Sequence, residues 1–131
     1  MSDIIYHYKG YWGCKARCGL RFYTAPTGET VVVAIELSDN EGTSITNMAE
    51  ELATWVCRDF SLDPERLLWI EHYTELVDGP LERTPDSFDL VRFSWDGEKF
   101  TEPHWRHMPY AEVALLTDGA LPERKANQTA P

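Results

Sequence analysis

Thr43-Ser-Ile-Thr-Asn-Met-Ala-Glu-Glu-Leu-Ala-Thr-Trp-Val-Cys-Arg-Asp-Phe60 is the stretch on which the fold turns. Ile45, Met48, Ala49, Leu52, Val56 and Phe60 recur at helical spacing, which puts an apolar stripe on one face of a long helix. Thr43 or Ser44 is a suitable N-cap, Glu50 and Glu51 favour the positive end of the dipole, and Arg58 favours the negative end. Asp63-Pro64-Glu65 stops the helix. Both sides of it read as strands. Before it, Thr30 to Leu37 is a strongly β-branched run; after it, Leu67-Leu-Trp-Ile-Glu-His-Tyr73 is apolar on both faces, the pattern of an interior strand.

Working outward, Ile4 to Tyr8 is a short strand ended by Lys9-Gly10. From Lys15 the residues alternate, with Ala16, Cys18, Leu20 and Phe22 pointing one way and Lys15, Arg17, Arg21 and Tyr23 the other. Thr24 to Glu29 supplies the Pro and Gly of a connecting turn, so this strand and the Thr30 run form a hairpin. A second hairpin spans Phe88 to Trp95 and Glu98 to His107, with Asp96-Gly97 predicting a type I′ turn. Pro109 to Leu116 predicts a short helix, and 77–86 a polar connection. The fold class that follows is α+β. It is a single domain over residues 1–118, with a mainly antiparallel sheet of five or six strands. The long helix packs on the sheet, a short C-terminal helix follows, and residues 119–131 form a disordered tail.

Composition narrows the function. The chain has 131 residues, with 12 Lys and Arg against 22 Asp and Glu, a formal net charge of −10. That length supports one core. The charge argues against direct nucleic-acid binding, because a phosphate backbone must be met by cations. No apolar run is long enough to span a bilayer, and no basic segment followed by an apolar one opens the chain, so a cytoplasmic protein without membrane association is expected. An odd count of three Cys fits a reducing compartment better than a disulfide framework. The five Trp are expected in the core and hairpins.

Three constellations could carry chemistry. Arg17 and Arg21, with Glu36 at the end of one strand and Glu71 in another, would form a charged cleft if their strands align; the plain alternative is solvated cross-strand ion pairs. Thr43, Ser44 and Asn47 at the helix start present backbone N–H groups that could hold an anion, although capping explains them equally. Cys14 and Cys18 invite a metal, but four extended residues span about 13 Å, too far to share one ion. In a strand, His104 and His107 point to opposite faces, and so do Glu71 and His72, which disfavours a dyad of either kind. No catalytic set, cofactor or metal site is therefore assigned.

The pattern Gly42-Thr-Ser-Ile-Thr-Asn47, with Glu50 and Ala53, followed by Leu62-Asp-Pro-Glu-Arg66 and Trp69-Ile-Glu-His-Tyr73, resembles a group of short uncharacterised bacterial proteins. The likeness runs from the Arg17 hairpin to Pro103, Trp105 and Arg106. It implies a bacterial stand-alone domain and no particular activity. The expected function is a small non-catalytic accessory or binding protein acting through protein contacts, with an acidic inhibitor of a nucleic-acid-binding protein as its extreme form. The alternative is a small enzyme or anionic-ligand-binding domain built on the Arg/Glu cleft. Lys15, Arg17 and Arg21 form a positive stripe in an acidic shell, and that stripe is where a partner is expected.

Overall fold

The β-branched run becomes the strand β3, Thr30–Ile35, which together with β4, Leu67–Tyr73, forms the parallel centre of the sheet. In a computed structural model, residues 4–37, 43–73 and 87–117 are described. Six strands lie in the order of the chain: β1 (Ile4–Lys9), β2 (Lys15–Thr24), β3, β4, β5 (Ser87–Trp95) and β6 (Phe100–Met108). Every neighbouring pair is antiparallel except β3 and β4. A parallel pair needs a crossover, and the long helix supplies it. The expected α+β architecture is thus observed, and the expected 77–86 connection and 119–131 tail lie outside the described residues.

The helix begins differently from the expected continuous run. Ile45–Met48 is a 3-10 turn and the α-helix α1 covers Ala49–Asp59. Ser44 is the N-cap, its hydroxyl accepting from the Thr46 N–H, and the Asn47 N–H bonds back to the Ser44 carbonyl three residues earlier. That tighter bond pattern defines a 3-10 turn.

α1 lays Ala49, Leu52, Ala53, Val56 and Cys57 on one face of the sheet, against Cys18, Leu20, Val32, Ala34, Trp69 and Val91. The opposite face carries a smaller core in which Val31, Val33, Ile70, Phe88 and Leu90 meet Val113 of α2 (Tyr110–Leu116). β4 therefore lies between two cores, which is why its sequence is apolar on both faces.

The β5–β6 connection departs from the type I′ expectation. Trp95 pairs with Phe100, leaving a four-residue loop in which Gly97 has a φ of 101°. Asp96 avoids the left-handed region because its side chain accepts from the Glu98 and Lys99 N–H groups, both at 2.8 Å. An Asx turn has replaced the two-residue hairpin turn.

Substituting Leu52→Ala, fully buried beneath the sheet, should cost about 2–5 kcal/mol of unfolding free energy. Leu115→Ala on the 73% exposed outer face of α2 should stay within about 0.5 kcal/mol. Equilibrium urea denaturation of both variants checks the contrast.

Candidate functional site

Register decides which polar residues meet. Leu20, Ala34, Glu71, Asp89 and His107 fall in one row across the sheet, each opposite the next. Since Leu20 and Ala34 lie in the core beneath α1, Glu71 faces α1 as well. Arg21 pairs with Val33, which belongs to the opposite core, and Arg17 shares its parity. Arg17 and Arg21 thus point away from Glu71, and the expected Arg/Glu cleft does not form. His72, of opposite parity to Glu71, stacks on Phe88 at 4.3 Å in the other core.

Glu71 is fully buried. Its Oε1 accepts from the Tyr73 hydroxyl, from Trp105 Nε1 at 3.1 Å and from Thr46 Oγ1 at 3.3 Å. One carboxylate oxygen therefore joins β4, β6 and the start of the helix. Thr46 and Trp105 are partners that sequence reading missed.

Glu36 lies just beyond β3, where its N–H donates to the His72 carbonyl. Its Oε2 accepts from the Ile45 N–H at 3.0 Å. The carboxyl ends of parallel strands beside a helix start are the usual place for an anionic ligand. Here Glu36 itself occupies that position, so the start of the helix is satisfied internally. Ser44 caps, Thr43 is buried, and the Asn47 carbonyl accepts from the Tyr11 hydroxyl. Of the seven candidate residues, Glu36, Thr43, Ser44, Asn47 and Glu71 surround this junction and act in holding it together.

The chemistry of the junction is correspondingly inert. Burial, then the nearby Glu36 and Glu71 charges, pushes the Cys18 thiol up to about 12. Burial and the same neighbours raise the Tyr8 hydroxyl too. Cys57 is pushed up to about 11 by burial and then by Asp63. Neither buried thiol is an activated nucleophile. Cys14 is exposed while Cys18 is buried, and the described residues contain no group of three His, Cys, Asp or Glu fit to hold a metal ion. His107 approaches Asp89 at 3.8 Å on the same row.

A second locus stands out at the β1–β2 turn. Tyr11–Gly13 forms a 3-10 turn in which Trp12 has a φ of 54° and is 95% exposed. Of the two places expected for the tryptophans, core and hairpins, Trp12 takes the second, at the turn of a hairpin and in solvent. The turn around it is well held. The Tyr11 hydroxyl is tied to Asn47, and the Gly10 N–H bonds to the Cys14 carbonyl. A Cβ at Gly10 would stand 2.7 Å from Thr43 Oγ1, so only glycine allows this close approach. Below the turn, Lys9 pairs with Lys15 and His7 with Arg17. All four are exposed and share the parity of Arg21. The positive stripe read from β2 therefore extends across β1 as far as the turn that carries Trp12.

Three measurements check these assignments. A thiol reagent at pH 8 should label one cysteine rapidly in the native protein and three after denaturation. Cys18 and Cys57 stay protonated in the fold at pH values where the unfolded thiols ionise. Their contribution is complete below the unfolded value of about 9 and is lost as pH rises toward their folded values, so stability should fall through that window, less steeply in Cys18→Ala. Glu71→Leu, which strands buried donors, should cost at least about 2 kcal/mol, and Glu71→Gln, which keeps an acceptor, clearly less.

No helix among the described residues is long and apolar enough to cross a membrane. In comparisons with known proteins, no family model, no curated protein and no solved structure matches this chain.

Proposed function

We propose that this is a small non-catalytic binding protein that acts through protein–protein contacts, with the β1–β2 hairpin as its contact surface and an acidic protein surface as its partner. The observation that carries this reading is Trp12, 95% exposed yet held on a turn anchored to the body of the domain. A left-handed non-glycine residue costs on the order of 1–3 kcal/mol and persists where the surroundings impose it, often at functional sites. Tryptophan is the residue type most enriched among binding hot spots. Holding it rigid reduces the ordering cost on association.

Charge supports the choice of partner. The chain carries a formal net charge of −10, yet His7, Lys9, Lys15 and Arg17 are exposed together on the two strands that the Trp12 turn connects. A positive patch on an acidic protein steers toward acidic surfaces and repels copies of its own acidic shell. The separation of Arg17 and Arg21 from Glu36 and Glu71 removes support for an Arg/Glu ligand cleft. The inward use of Glu36 at the helix start does the same for an anion site there.

The test replaces Trp12 with a photo-crosslinking phenylalanine analogue in the native cells, with the same replacement at exposed Leu115 as control. A discrete acidic protein should be trapped from position 12 alone, and charge reversal at Lys9 and Lys15 should reduce the yield at least about tenfold. No adduct, or the same adducts from both positions, overturns the proposal.

A further inference from the structure

The two edges of the sheet differ in how they are protected. Among the described residues nothing pairs with the outer side of β1 or of β6. β6 carries the usual devices against unwanted pairing. Pro103 lies within it, and its register against β5 shifts between Arg92 and Ser94, with Glu102 at a φ of 52°. β1 has none of these. It is regular over all six residues, contains no proline, and leaves Ile4 and Ile5 42% and 45% exposed.

From this asymmetry we infer that β1 receives an extended segment of the partner protein as an added strand, and that the segment alternates acidic and apolar residues. The inference rests on the hairpin being the contact surface and specifies how it is used. The alternation follows from the two faces of β1. On one face, Ile5, His7 and Lys9 stand beside Gly19, Arg17 and Lys15. Carboxylates on an added strand would there lie one strand spacing, about 4.8 Å, from His7 and Lys9. Gly19 is covered on that face by the Ile35 side chain, so the cationic row comprises His7, Lys9, Arg17 and Lys15 and is bounded by Ile5 and Ile35. On the other face, Ile4 and Tyr6 border an apolar rim. The Tyr6 and Phe60 rings lie 5.9 Å apart, and a cleft of about 540 Å³ lined by Ile4, Phe22, Phe60 and Leu62 opens at the Ile4 end. Apolar side chains of the incoming strand fit there. Trp12 stands past the Lys9 end, where it would close over the end of the segment.

A second copy of this chain fits less well. Two-fold pairing of β1 with itself about His7 would set the two His7 side chains opposite each other, place Lys9 opposite Ile5 with no carboxylate to meet it, and bring two chains of net charge −10 together. Strand addition draws affinity from main-chain hydrogen bonds and specificity from alternate side chains, so charge pattern is the property to test.

The experiment uses the full-length protein and synthetic peptides of the same length as β1, read by backbone amide shifts and amide hydrogen exchange. A peptide alternating glutamate and valine should shift and protect the Ile4–Lys9 amides. A peptide with the same residues in two blocks, and one alternating lysine and valine, should bind at least about tenfold more weakly. Lys9→Glu with Lys15→Glu should lose a similar factor, and Trp12→Ala should weaken binding with an unchanged amide spectrum elsewhere. Equal binding of the blocked peptide, or protection outside β1, overturns strand addition. β1 amides already protected in the free protein, with a mass that rises with concentration, would show a second copy on the edge and also overturn it. Protection without a rise in mass would show the edge covered by the chain itself, which overturns it equally. A Trp12 crosslink to an acidic protein without β1 protection rejects this inference while leaving the contact surface in place.

Discussion

A single carboxylate oxygen fixes how the two halves of this fold meet. Glu71 Oε1 gathers donors from Tyr73 on its own strand, Trp105 on β6 and Thr46 in the helix-starting turn. A fully buried acidic group is tolerated only with such donors, because desolvation would otherwise expel it. The requirement works in both directions: the carboxylate needs the donors, and the donors, once buried, need the carboxylate. The start of the crossover helix is thus tied to a defined point of the sheet, in addition to the general attraction of Leu52 and Val56 for the apolar face.

The consequence reaches the far end of the β1–β2 hairpin. The same turn that supplies Thr46 also supplies the Asn47 carbonyl, which holds the Tyr11 hydroxyl, and is preceded by Thr43, which fits against Gly10. Glu36 completes the turn by accepting from the Ile45 N–H. An unbroken set of short contacts leads from the buried carboxylate to the residue that flanks Trp12. The polar residues that resemble a ligand site are, on this geometry, the mounting for a surface residue. Neither buried thiol is primed for chemistry: burial first, and then the Glu36 and Glu71 charges, favour the protonated form of Cys18, while burial and then Asp63 do so for Cys57.

Much of this was legible in the sequence, and the limits have physical causes. The helix could be read because its apolar residues recur with a period that no strand shares, and β4 because it is apolar on both faces. The alternation in β2 correctly divided Arg17 and Arg21 from Cys18 and Leu20. What alternation cannot give is the phase of one strand against another. Whether Arg17 and Glu71 share a face depends on register, and a shift of one residue reverses the answer. The side chain of Asp96 likewise competed with the dipeptide preference of Asp-Gly and lengthened the turn. Which tryptophan would stand in solvent was not readable from residue type; for Trp12, its position between Gly10 and Gly13, at the junction of two strand runs, was the available clue.

The bulge in β6 has a bearing on stoichiometry. A sheet that can be extended at both margins propagates, since each added unit offers the next one a fresh template, and head-to-tail contacts of that kind build filaments instead of closed particles. Here Pro103 and the left-handed Glu102 withdraw one margin from pairing. A head-to-tail array in which β1 of one copy pairs with β6 of the next is thereby disfavoured, so an open β1 edge does not by itself commit copies of this chain to a filament.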